Sequence, residues 1–171
     1  INLDDDSKKN ITGKSLENQE NAKLIAYEHA LKLTPNDPNI YNNLGISLIK
    51  LHRSHKAIEC FKKAIQLNSN FETAHSNLGN VFQELGKYQE AVTCYKRAIN
   101  IKPDYAEGHY NLGKVFQELG KHQEAISYYQ KAIQINSNYI KAHSNLGNVF
   151  QELGKYQEAI ECFKKAIQLN S

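Results

Sequence analysis

One segment recurs four times at a spacing of 34 residues, and that repetition constrains the fold more than any other property of the chain. Leu44-Gly45, Leu78-Gly79, Leu112-Gly113 and Leu146-Gly147 open the copies, and Ala57, Ala91, Ala125 and Ala159 follow in the same register. A fixed period of this length marks a solenoid, in which each repeat buries its apolar face only against its neighbours. The expected product is a stacked array with a long continuous surface, suited to holding a partner rather than to enclosing a reaction.

Each copy reads as two helices of about 13 to 15 residues, close to the mean for globular proteins, meeting at Leu85-Gly86, Leu119-Gly120 and Leu153-Gly154. Glycine there supplies the left-handed backbone that ends a helix. The first copy places His52 at this position instead, so its turn is expected to be strained. Upstream, Asp37 followed by Pro38 is a helix start, since Asp accepts from orphan amides and Pro sits where no donor is needed. The predicted organisation is a flexible segment over residues 1–15, a single half-repeat helix over 16–37, and full repeats over 38–71, 72–105, 106–139 and 140–171. In the half repeat, Ala22, Ile25, Ala26, Ala30 and Leu33 form the expected packing stripe. The fourth repeat is expected to lack a capping helix, so that Ile160, Phe163, Ile167 and Leu169 face outward and favour self-association.

These residues resemble the tetratricopeptide repeat, whose pattern of aromatic, Leu-Gly, aromatic, Ala, aromatic and Pro is matched by His109, Leu112-Gly113, Phe116, Ala125, Tyr129 and Ala132. The resemblance implies an all-α fold, a right-handed solenoid of antiparallel helix pairs. It departs from the pattern at the first aromatic, which is Tyr41, His75, His109 and His143, and at the closing proline, present only as Pro35 and Pro103. The block AHSNLGNVFQELGKYQEA over residues 74–91 recurs unchanged over 142–159 and is similar to the repeats of O-linked N-acetylglucosamine transferases. In that family an Asn before the Leu-Gly pair holds peptide main chain; the matching residues are Asn43, Asn77, Asn111 and Asn145. The catalytic lobes of such a transferase have no counterpart here.

An Asn side chain pairs an acceptor with a donor, so a row of them can grip an extended chain whatever its sequence. Asn is also a poor helix former and needs a reason to recur inside helices. The expected peptide-binding residues are Asn43, Asn77, Asn80, Asn111, Lys114, Lys141, Asn145 and Asn148, against the plainer reading of solvated residues multiplied by duplication. Gln83, Gln117 and Gln151 enlarge the amide-rich surface but fit that plainer reading better. A related subclass clamps acidic chaperone tails with Lys, Asn, Asn, Lys and Arg; here Ser76, Asn80, Asn111, Lys141 and Asn145 stand at those positions. The first Lys and the last Arg are missing, which disfavours a co-chaperone.

The formal charge of +3 is too small and scattered for a nucleic-acid footprint, and no apolar run approaches the roughly 18 residues of a membrane span. Cys60, Cys94 and Cys162 share one repeat position, too far apart for disulfides, so three reduced thiols and a cytoplasmic or nuclear setting are expected. His75, His109 and His143, one repeat apart, cannot converge on one zinc ion and are expected to pack in place of the usual aromatic. Metal and cofactor are therefore expected to be absent. Phe61, Tyr95, Tyr129 and Phe163, with Phe82, Phe116 and Phe150, are assigned to the core. No nucleophile, base and orienter can be proposed together. The functional expectation is a non-enzymatic interaction module for an extended peptide, or else the substrate-selecting arm of a larger enzyme. The chain opens on Ile1 rather than Met, as a piece of a longer protein would.

Overall fold

The structure, a computed structural model, describes residues 5–170, with side chains from residue 14 onward. The described residues form α1 (Asp5–Leu33), α2 (Pro38–Lys50), α3 (Ser54–Leu67), α4 (Glu72–Glu84), α5 (Tyr88–Ile101), α6 (Ala106–Glu118), α7 (His122–Ile135), α8 (Ile140–Glu152) and α9 (Tyr156–Leu169). After α1 the helices alternate between 13 and 14 residues, the all-α helical repeat that the period implies. They fall into two compact units, Ile1–Val81 and Phe82–Ser171, with the division inside α4. None of the described helices is long and apolar enough to cross a membrane.

In the first unit α2 starts as its sequence dictates, with Asp37 Oδ1 accepting from the Asn39 amide at 2.8 Å and Pro38 at the first helical position. α2 packs on α3 with Gly45 under Phe61: a Cβ at Gly45 would lie 2.6 Å from the ring, so only glycine admits this approach. Ala57 and Ala64 are fully buried beside Phe61. The joint between these helices places His52 at φ 57°, the strained left-handed conformation expected of it.

α1 departs from expectation in two ways. It begins at Asp5 rather than near residue 16, because no proline precedes Pro35 to stop the helix from extending toward the N-terminus; residues 1–4 lie outside the described residues. Its buried face is also not the predicted stripe. Ile25 and Leu33 are 69% and 74% exposed, whereas Glu20 and Leu24 are buried against α2 and Tyr27 and Leu31 are half-buried. Spacing of four, three and four puts residues 20, 24, 27 and 31 on one helix face. The charged member is neutralised in place, since Glu20 Oε1 accepts from Lys23 at 2.8 Å and Lys50 at 3.1 Å.

The second unit repeats one packing solution. Gly86, Gly120 and Gly154 take φ of 69°, 69° and 72° at the joints. Ala91, Tyr95, Leu112, Val115, Phe116, Ala125, Ile126, Tyr129, Leu146 and Val149 form its core, with Phe82 and Phe150 packed at the margin. Gly113 and Gly147 lie against Tyr129 and Phe163 as Gly45 does against Phe61. The histidines replace the usual aromatic by stapling the incoming loop: His109 Nε2 donates to Pro103 O and His143 Nε2 to Ser137 O, both at 3.0 Å. His75 makes the same bond to Ser69 O at 3.1 Å in the first unit.

Candidate functional site

In the second unit the first helices of two successive repeats, α6 and α8, touch along one side. Helical spacing sets Glu107, Asn111, Lys114 and Glu118 on one stripe of α6 and Lys141, Asn145, Asn148 and Glu152 on the matching stripe of α8. Lys141 and Asn148 are exposed, Lys114 and Asn145 are half-buried, and Asn111 is only 6% exposed. In the first unit Asn43 is exposed on α2, while Asn77 and Asn80 are half-buried on α4. The sequence-predicted residues thus occupy the expected helices but differ in their access to a partner.

Their hydrogen bonds differ more sharply from expectation. Asn145 Nδ2, predicted to meet a partner, donates to the hydroxyls of Tyr110 at 3.2 Å and Tyr129 at 3.4 Å. In the first unit Asn77 Nδ2 donates to Asn42 Oδ1 at 3.0 Å. In both cases the acceptor on the preceding first helix lies 35 residues upstream. Asn77 and Asn145 therefore join successive repeats through their amide nitrogens; Asn145 directs Nδ2 at two hydroxyls and keeps its carbonyl oxygen for a partner, whereas Asn77 keeps its carbonyl oxygen and one N–H. At Asn145 the amide hydrogens are thus already committed within the protein.

Gln83 and Gln117 are also more than solvated surface. Tyr129 donates to Gln117 Oε1 at 2.9 Å and Gln117 Nε2 donates to Glu152 at 3.0 Å. One repeat earlier Tyr95 donates to Gln83 Oε1 at 3.1 Å and Gln83 Nε2 to Glu118 at 2.8 Å. Both Tyr rings are fully buried, and burial pushes both phenols well above their ordinary range, so they stay neutral donors. Sequence reasoning missed this network, although a signal was present. Tyr occurs at 95 and 129 where Gln stands twelve residues earlier, while Phe61 and Phe163 replace Tyr in the first and fourth repeats. A buried phenol requires a hydroxyl partner and a buried phenyl does not. Tyr110, packed between Tyr129 and Tyr139 with ring centroids 5.8 and 5.0 Å away, was likewise missed.

Elsewhere the described residues hold no group of three His, Cys, Asp or Glu able to bind a metal. Burial, followed by the charge of Glu59, pushes the Cys60 thiol up to about 11, the reverse of a nucleophile's environment. A cavity of about 640 Å³ between α1 and the end of α2 is lined by Leu16, Glu17, Glu20, Lys50, Leu51 and His52. A notch of about 410 Å³ opens beside Cys162, with Ile133, His143 and Leu146 in its walls. The equivalent of Cys162 one repeat earlier is Tyr128, stacked on Phe116 at 5.3 Å and 6.1 Å from His109.

Sequence and structural comparisons agree with the helix pairs. The profile described as "Tetratricopeptide repeat" matches residues 38–71, 106–139 and 140–171, and one described as "TPR repeat" matches residues 79–120. A crystal structure of MamA is 30% identical, with 99% of this chain and 96% of that one covered and a TM-score of 0.79. MamA from Desulfovibrio magneticus RS-1 shares the fold at 24% identity and a TM-score of 0.78, over 99% of this chain and 97% of that one. YrrB, described as a TPR protein with an unusual peptide-binding site, is 26% identical, with 84% of this chain and 74% of that one covered and a TM-score of 0.72. No curated protein matches the chain significantly.

Proposed function

The chain belongs to the tetratricopeptide repeat family, and we propose that it is a protein-interaction module whose α6–α8 face binds a partner polypeptide in extended conformation. The observation that carries this reading is the matched pair of polar stripes on two touching helices, where Lys114, Lys141, Asn145 and Asn148 keep solvent access above an ordered hydrogen-bonded floor. Such a floor holds side chains in place before a partner arrives, which lowers the ordering cost of binding. The peptide-binding site of YrrB, at 26% identity, supports the same class of partner.

Asn43, Asn77 and Asn80 extend this binding role to the first unit in our reading. The resemblance of residues 74–91 and 142–159 to O-linked N-acetylglucosamine transferase repeats supports a second version, in which the same surface selects substrates for a larger enzyme. Chaperone tails fit less well, because Ser76, at the position of the first clamp Lys, is 1% exposed. Ile160 and Ile167, 45% and 68% exposed on α9, support an additional contact between copies. The test of the main reading is calorimetric titration with a twelve-residue peptide selected from a random library against this chain. Lys114→Ala and Asn148→Ala should each weaken binding about 5- to 10-fold, the worth of one hydrogen bond, with unchanged melting. Unaltered affinity in both would reject the α6–α8 face.

A further inference from the structure

The polar chain of the second unit has a direction, and the direction follows from its charged end. A carboxylate can only accept. Glu152 therefore obliges Gln117 to present Nε2, which leaves Gln117 Oε1 as an acceptor. Tyr129 commits its proton to that oxygen, so the Tyr129 oxygen can only accept from the next group. Asn145 must supply that hydrogen through Nδ2, which also reaches the Tyr110 oxygen. The chain from Glu118 through Gln83 to Tyr95 runs in the same direction, so the polarity is a repeated feature of the unit.

Two functions are left over at the far end. The Tyr110 hydroxyl accepts from Asn145 and keeps its own proton, and Asn145 Oδ1 keeps its lone pairs; no other described residue engages either. Both residues are half-buried rather than enclosed. The Tyr110 ring is fixed by Tyr129 and Tyr139, which holds the hydroxyl at one place. Tyrosine is peculiar to this repeat, since Asn42, Ser76 and Ser144 occupy the equivalent positions.

We infer that Tyr110 and Asn145 act together as a main-chain clamp, Tyr110 donating its hydroxyl proton to a peptide carbonyl and Asn145 Oδ1 accepting from a peptide N–H. A partner carboxylate offers only acceptors and an ammonium only donors. One neutral donor beside one neutral acceptor complements a single residue of an extended chain, whose N–H and C=O point to the same side. The two-point grip that the sequence assigns to a single Asn is thereby shared between two residues on adjacent helices, and Glu152 is a positioning residue that sets which of them donates. The inference rests on the reading of α6 and α8 as the peptide face.

The experiment uses the full chain and the library-selected twelve-residue peptide. Tyr110→Phe retains the ring and its packing and removes only the donor, so binding should weaken about 5- to 10-fold with unchanged melting. Replacing peptide amides by esters one at a time removes single N–H donors. One ester should weaken binding to the parent chain several-fold, yet have little further effect on Asn145→Ser. Lys114→Ala and Asn148→Ala distinguish the two levels of the argument. Binding weakened by those variants but indifferent to Tyr110→Phe, or ester effects that simply add to Asn145→Ser, overturns the clamp and leaves the peptide face standing. Binding indifferent to all four variants overturns both, as does failure to select any peptide.

Discussion

Gly113→Ala tests the packing argument where it is sharpest. The added methyl would lie 2.6 Å from two ring carbons of Tyr129, and that ring is fully buried. Alanine gains about 1 kcal/mol of helix propensity over glycine, against about 1 to 3 kcal/mol for overpacking. The Tyr129 ring cannot swing aside freely, because its hydroxyl is held by Gln117 at 2.9 Å and Asn145 at 3.4 Å; losing those bonds adds about 1 kcal/mol each. The net expectation is a loss of about 2 to 4 kcal/mol, measured by urea unfolding followed by circular dichroism. Tyr129→Phe frees the ring of both hydroxyl anchors, so Gly113→Ala should cost about 2 kcal/mol less in that background, a coupling a double-mutant cycle resolves. Gly113→Ala without effect, or with the same cost in both backgrounds, would refute the claim that close approach and the hydroxyl network are coupled.

His52→Gly should stabilise by about 0.5 to 1 kcal/mol, since relief of the left-handed strain outweighs the entropy glycine adds to the unfolded chain; a lower melting temperature would contradict it. The Lys23 and Lys50 ammonium groups hold the Glu20 carboxyl down to about 2 against an ordinary 4.5. A depressed carboxyl stabilises the fold fully above its unfolded pKa and progressively less below it. The contribution should therefore fade as pH falls from 4.5 toward 2, and Glu20→Gln should remove that part of an acid titration followed by circular dichroism. Cys162→Tyr places in the notch of about 410 Å³ the ring that Tyr128 supplies one repeat earlier, and should raise stability by about 0.5 to 1.5 kcal/mol in urea unfolding; a loss would show that positions 128 and 162 are not equivalent.

What the sequence revealed and what it hid divide along a physical line. The period of 34 residues, the small residues at Gly45, Gly113, Gly147 and Ala57, and the glycine joints were legible because each answers a backbone requirement that repeats with the chain. The exposed face of α1 was not, because a half repeat has no second copy to compare with and two faces carry apolar residues at helical spacing. Burial of Glu20 there depends on Lys50, thirty residues away. The Asn row was legible as a repeated oddity. Its commitment to Tyr110, Tyr129 and Asn42 was not, since each bond crosses to another helix and the acceptor changes from Asn to Tyr between repeats. Gln83 and Gln117 looked like ordinary helix formers, and only the paired Tyr95 and Tyr129 distinguish them from Gln151.

The most direct measurement is an NMR titration of the isotopically labelled chain with the selected peptide. The largest shifts are expected at backbone amides of α6 and α8 and at the side-chain amides of Asn145 and Asn148, with α7 and α9 little affected on their outward faces. Shifts confined to the outward faces of α7 and α9, or to the residues around Leu16, Lys50 and His52, would contradict the placement of the peptide on the α6–α8 face.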